Sequence, residues 1–138
     1  MTRPLPPLDD SRNAAFWREL ARTGQLRFER CTACGTFRQQ PRELCGRCGS
    51  AAVEWAASAG RGAIATWLVA HQAFHPAFQA EVPYVVAVTA LDEGVRLVSG
   101  VIDLPREQLR IGFPVEVVLQ TAGSDHILPY VRPRLPQP

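Results

Sequence analysis

The chain contains no lysine: all 15 of its basic residues are arginine. It also lacks any apolar run near the roughly 20 residues needed to cross a bilayer. The longest candidate, Val82–Leu91, has the length of a strand and contains Pro83. No signal-type apolar segment follows Met1-Thr2-Arg3-Pro4-Leu5-Pro6-Pro7. These absences predict a chain that works without a membrane, in the cytoplasm. Gly-rich phosphate loops, nucleophile elbows and metal-protease helices are missing as well. Histidine is scarce. His71, His75 and His126 have no Cys, Ser or acidic pattern beside them, so they read as ordinary polar residues rather than catalysts.

What is present begins with four cysteines, arranged as Cys31-x-x-Cys34-Gly35 and Cys45-x-x-Cys48-Gly49. Two intervening residues let both sulfurs of a pair face one ion from a tight turn. The glycine after each pair permits a positive φ and leaves backbone N–H groups facing the sulfurs. Two such knuckles close a tetrahedral sulfur site, and a reducing compartment favours metal over disulfides. One structural zinc is the expected cofactor. Iron in a rubredoxin-like site is the alternative, and it would make the chain an electron carrier. With all four cysteines engaged, no thiol remains as a nucleophile and no open metal position remains for water.

The formal charge of +2 falls to near neutral once two thiolate charges in excess of a divalent ion are counted. Residues 1–61 hold ten arginines against six acids, and residues 62–138 hold five against seven. The C-terminal half is therefore slightly acidic. That argues against a nucleic-acid groove, which needs basic residues beside its stacking aromatics.

Residues 1–8 read as a Pro-rich, extended and mobile lead. Asp9, Asp10 and Ser11 offer N-cap oxygens, and Phe16, Trp17, Leu20 and Ala21 recur at helical spacing. Gly24 closes a helix expected over 11–22. Phe16 and Trp17 form an aromatic face that either docks on the rest of the chain or meets a ligand or partner. Short strands are expected at 26–29 and 51–57, with a loop at 38–44 and a turn at Gly60-Arg61-Gly62.

Only strand signals follow. They lie at 63–71, 83–91, 95–102, 115–120 and 126–131, with Asp92-Glu93-Gly94 as a hairpin turn. Simple alternation puts Ile64, Thr66 and Leu68 on one face of the first and Trp67 and Val69 on the other. Five strands without a crossover helix predict a five-stranded OB-fold barrel. The segment His71–Phe78 is a long loop carrying Phe74 and Phe78, and 132–138 reads as a Pro-rich tail. The expected organisation is mainly β: lead and helix over 1–25, zinc ribbon over 26–61, barrel and tail over 62–138.

The order of parts resembles a known family. Phe16-Trp17 precedes Cys31-Thr32-Ala33-Cys34-Gly35 and Cys45-Gly46-Arg47-Cys48-Gly49-Ser50, with Pro41-Arg42 between the knuckles. Then come Gly60-Arg61-Gly62, His75-Pro76-Ala77-Phe78, Val82-Pro83-Tyr84 and Leu109-x-x-Gly112-x-x-Val115. Over about residues 10–120 this is similar to the zinc-ribbon/OB-fold family associated with acyl-CoA metabolism, long catalogued as a domain of unknown function.

The resemblance implies a non-catalytic accessory subunit, with a thiolase-like or related acyl-CoA enzyme as partner and a coenzyme A thioester as ligand of the complex. On that reading Phe16, Trp17, Phe74 and Phe78 line an acyl or partner surface, while Arg38 and Arg42 either lie free in a solvated loop, which is the favoured reading, or meet phosphates of coenzyme A. The competing function is a single-stranded nucleic-acid module built from the same ribbon and barrel.

Overall fold

The structure is a computed structural model that describes residues 3–135. Arg12–Ala14 form a 3-10 turn that runs into helix α1, Ala15–Thr23. The start is not capped as expected. Ser11 gives no side-chain cap, and the Asp9 carboxylate instead accepts from the Ser11 backbone N–H at 2.9 Å. The helix ends at Gly24, whose φ is 66°.

A three-stranded antiparallel sheet follows, built from β1 (Arg27–Cys31), β2 (Phe37–Arg38) and β3 (Val53–Ala57) in the order β2-β1-β3. Thus the expected 38–44 loop begins with a short strand. Glu19 on α1 is buried and carries two arginines, Arg22 at 2.8 Å and Arg27 at 3.0 Å. Arg27 also donates to the Trp55 carbonyl at 3.0 Å, which ties α1, β1 and β3 together.

The rest of the chain is a closed barrel of β4 (Arg61–Ala70), β5 (Tyr84–Leu91), β6 (Arg96–Val101), β7 (Pro114–Ala122) and β8 (His126–Pro133). Its order is β4-β5-β6-β8-β7, with β4 returning to β7. All pairings are antiparallel except β6 with β8, where Gly100 faces Tyr130 and Val101 faces Val131. This is the expected five-stranded OB-fold topology.

Two hydrophobic cores hold the chain. Ile64, Ala87, Leu109, Val115 and Val131 fill the barrel. Phe16 and Leu20 of α1 join Leu26 and Phe28 with Leu91, Val95 and Leu97 of the barrel, so helix, small sheet and barrel share one apolar contact.

Tertiary packing corrects several expectations. Arg61 and Gly62 are not turn residues but the first residues of β4. A Cβ at Gly62 would stand 2.2 Å from the Ala90 carbonyl oxygen, so only glycine permits this strand approach. Gly62→Ala should therefore open the β4–β5 edge and lower stability by about 2–3 kcal/mol, measurable as a shift in urea midpoint.

The alternation along β4 is broken by a bulge between Ile64 and Thr66. One extra residue exchanges the two faces, so Ile64 and Trp67 both point into the barrel while Thr66 and Leu68 face out.

The last strand runs on through Arg132, which bonds Glu116 at 3.1 Å, so the expected tail begins later. Its residues 136–138, like Met1 and Thr2, lie outside the described residues. The lead over residues 3–8 is held on the barrel. Arg3 bonds Glu81 at 2.9 Å and stacks 5.0 Å from the Phe78 ring, and the Pro6 carbonyl bonds His126 Nε2 at 2.7 Å. Half-buried Leu5, Pro6 and Leu8 explain why it stays there. No helix among the described residues is long and apolar enough to cross a membrane.

Candidate functional site

The two cysteine knuckles repeat one backbone pattern. Cys31 accepts from Gly35 N–H at 2.8 Å and donates to the Thr36 carbonyl at 2.9 Å. Cys45 accepts from Gly49 N–H at 2.9 Å and donates to the Ser50 carbonyl at 2.8 Å. Gly35 and Gly49 sit at φ of 78° and 79°, a conformation that would strain a side chain. β1 delivers the first knuckle, and the loop ahead of β3 delivers the second.

Across the knuckles, Cys31 and Cys48 sulfurs are 3.6 Å apart, and those of Cys34 and Cys45 are 3.7 Å apart. All four ligand atoms lie within 4.8 Å of one another. A tetrahedral ion with bonds of ~2.3 Å sets its sulfurs ~3.8 Å apart, so the cluster fits a metal.

The surroundings polarise the thiols. The hydrogen bond with Thr36 pulls Cys34 down to about 6. Backbone N–H of Cys48 lowers Cys45. At Cys48 the Ser50 N–H favours the thiolate, but the sulfurs of Cys31, Cys34 and Cys45, together with partial desolvation, outweigh it and push the thiol up to about 11. Four sulfurs this close ionise together only around a cation, so metal uptake displaces protons and weakens as pH falls.

The other expected contact residues are scattered. Phe16 is 2% exposed, stacked at 5.7 Å on Phe28 and edge-on at 5.1 Å to Trp17. It is core, which corrects its place on a contact surface. The physical reason is that α1 turns this ring into the groove between β1 and the barrel. Trp17 is half-buried at the margin of the same cluster. Arg38 is only 11% exposed and engaged by Glu29 at 2.8 Å and the Arg42 carbonyl at 2.9 Å, so it is not the free surface cation expected, whereas Arg42 is exposed.

Phe74 is 88% exposed. Phe78 lies on the 3-10 turn Pro76–Glu81, half-buried against Tyr84 at 6.3 Å. His75 Nδ1 accepts from Ala77 N–H at 3.1 Å and starts that turn, which gives this histidine a structural task.

Beside Phe78 opens a groove of about 1070 Å³, floored by Val86, Gly100, Leu128 and Tyr130 and crossed by Arg3, Pro4 and Leu5. The outward face of β4-β5-β6 continues it. Leu68 pairs with Val86 and Val86 with Gly100, while Thr66 pairs with Val88 and Val88 with Val98. No charged side chain stands in these two rows. Leu68 is 55% exposed and Val98 61%. Sequence reasoning missed this face because the bulge decides which β4 residues join it.

Two family models match the chain: the ChsH2 rubredoxin-like zinc ribbon domain over residues 18–54, and the ChsH2 C-terminal OB-fold domain over residues 55–120. The chain belongs to the ChsH2, or DUF35, zinc-ribbon/OB-fold family. A DUF35 domain-containing scaffold protein of Methanocaldococcus jannaschii is 32% identical over 89% of each chain. A probable enoyl-CoA hydratase alpha subunit of Thermomonospora curvata is 40% identical over 98% of this DUF35 chain, but only 41% of that subunit.

Likewise, 83% of the chain is 30% identical to 35% of the 3-oxo-4,17-pregnadiene-20-carboxyl-CoA hydratase alpha subunit of Mycobacterium tuberculosis. The chain therefore spans well under half of these two hydratase subunits. Among solved structures, one chain of the Ltp2-ChsH2(DUF35) aldolase superposes with a TM-score of 0.79 at 38% identity, covering 95% of this chain and 98% of that one.

Proposed function

We propose that this DUF35 chain is a non-catalytic scaffold subunit. It holds one structural zinc through Cys31, Cys34, Cys45 and Cys48, docks on a thiolase-fold enzyme that acts on acyl-CoA thioesters, and completes the wall of the thioester site. The observation that carries this is the pair of uncharged rows on the outward face of β4-β5-β6, Leu68-Val86-Gly100 and Thr66-Val88-Val98, together with the exposed ring of Phe74 in the loop after β4. Such a surface on a small barrel needs cover, and a protein interface with an aromatic anchor supplies it.

The related scaffold protein and the aldolase that contains a DUF35 chain support the coarser part of this reading, a scaffold role within an enzyme assembly. A non-catalytic role is supported by the residues themselves. The four thiols are gathered at one point, and His75 and His126 are engaged by backbone atoms. The hydratase activity of the two longer relatives is not carried over, because the match covers less than half of those subunits.

The test is co-expression with a thiolase-fold enzyme from the same source, followed by size-exclusion and turnover assays. The two chains should co-elute, and the chain alone should turn over no acyl-CoA. Phe74→Ala should weaken the complex about ten-fold or more while leaving the melting temperature of the isolated chain unchanged. Thioester turnover by the chain alone, or a complex indifferent to Phe74, would overturn the proposal.

A further inference from the structure

The lead over residues 3–8 has no regular secondary structure, yet it is held across the groove beside Phe78 at three points. Arg3 reaches the turn that precedes β5, pairing with Glu81 at 2.9 Å and lying 5.0 Å over the Phe78 ring. Leu5 packs on the β7–β8 turn, where a Cβ at Gly123 would stand 3.4 Å from its Cδ1. The Pro6 carbonyl accepts from His126 Nε2–H at 2.7 Å.

The composition suits a segment that docks as a unit. The rings of Pro4, Pro6 and Pro7 hold φ at about −65° before the segment is seated, so seating it orders few torsions. These prolines carry no N–H, so fewer backbone donors need partners over an apolar floor.

The hold is nevertheless shallow. The Arg3 and Glu81 side chains are 50% and 44% exposed, and ion pairs that wet add little. Pro4 and Pro7 are exposed, and Leu5, Pro6 and Leu8 are only half-buried. Contacts of this strength let a segment come and go, while its short link to α1 keeps its local concentration high.

What the lead covers matters. Val86 and Gly100 of the groove floor belong to the Leu68-Val86-Gly100 row of the outward sheet face, and Leu68 at the other end is 55% exposed. The lead thus closes one end of an uncharged row whose other end is open. Among the described residues Glu81 is the one acid in the groove wall, so the site selects an apolar segment with a cation beside Phe78.

We propose that the groove is a peptide site and that residues 3–8 are its exchangeable ligand in cis, a strap that masks the apolar row until a partner surface displaces it. The partner's identity as an acyl-CoA enzyme rests on the scaffold reading above; the peptide site does not.

The experiment compares the full zinc-loaded chain with a full-length variant carrying Arg3→Ala and Leu5→Ser, which releases the strap. The probe is a synthetic peptide of native residues 1–8. By calorimetry the peptide should bind the variant at least ten-fold more tightly than the native chain, where the tethered copy competes. Adding Glu81→Gln or His126→Ala to the variant should weaken the peptide about three-fold or more. An environment-sensitive dye, anilinonaphthalene sulfonate, should fluoresce about two-fold more on the variant, and the peptide should reverse the gain. Melting temperature should be retained, because neither hydrophobic core draws on residues 3–8. The variant should also bind the thiolase-fold enzyme about three-fold more tightly than the native chain does.

A peptide that binds neither chain, or both equally, would overturn the strap. A concentration-dependent dimer of the native chain that is lost in the variant would give the groove to a second copy and overturn the cis assignment. Peptide binding without a gain in enzyme affinity would reject the masking role. Peptide binding in a chain that never associates with an acyl-CoA enzyme would sustain the peptide site and reject the scaffold reading.

Discussion

Replacing Cys45 with serine should release the metal and, with it, the order of the β2-β1-β3 sheet. Cys45 is buried, and its sulfur accepts from the Arg47 N–H at 3.4 Å, so the position is built for a large polarisable atom. Serine offers a shorter, harder donor and leaves three sulfurs. Phe28 anchors β1 in the shared core, but the other two strands have little to hold them: Val53 is exposed and Trp55 only half-buried on β3, and β2 has two residues. A structural zinc contributes on the order of 10 kcal/mol to folding in modules of this size, more than the sparse apolar contacts of β2 and β3. Elemental analysis should give one zinc per native chain and much less in the variant, and amide exchange should show lost protection over β1 and β3. Chelation of the native protein should do the same. A metal-free chain with β1 and β3 still protected would remove zinc from any structural role.

Phe16→Ala should cost about 3–5 kcal/mol of global stability, the range for emptying a buried aromatic site. The ring is enclosed by Phe28 and Trp17 and by the barrel residues Leu91, Val95 and Leu97, so its loss leaves a cavity where helix, sheet and barrel meet. A domain of this length has a total stability of about 5–15 kcal/mol, so the variant should melt well below the native chain. The contrast with Phe74 is the useful part. One aromatic should govern stability, the other association, and thermal denaturation paired with partner affinity separates them. If Phe16→Ala melts like the native chain, the shared core is misassigned.

The cysteine spacing was sufficient to read the metal cluster, because a Cys-x-x-Cys-Gly turn is local: the chain needs only adjacent residues to bring two sulfurs together and one repeat to bring four. The barrel was legible for a similar reason, since five apolar segments punctuated by turns and lacking a crossover helix leave few ways to pair. The helix was legible from its spacing and from Gly24 at its end.

What lay beyond reach was which side of an element faces inward when more than one side is apolar. Phe16 and Trp17 are adjacent and aromatic, yet the position of β1 and of the β5–β6 turn buries the first and leaves the second at the margin. The bulge before Thr66 turns Leu68 outward, and no periodicity announces a bulge. Arg38 looked free because Glu29, nine residues earlier, becomes its neighbour only through β1–β2 pairing.

The same holds where the ribbon faces the barrel: Arg47 and Arg96 are remote in sequence, yet they line one pocket because the shared core sets the barrel's hairpin beside the ribbon. Sequence alone determined the local chemistry, four thiols at one point and a barrel to carry them. The tertiary structure decided which aromatics and which arginines face solvent, because that depends on long-range packing that short-range pattern does not encode.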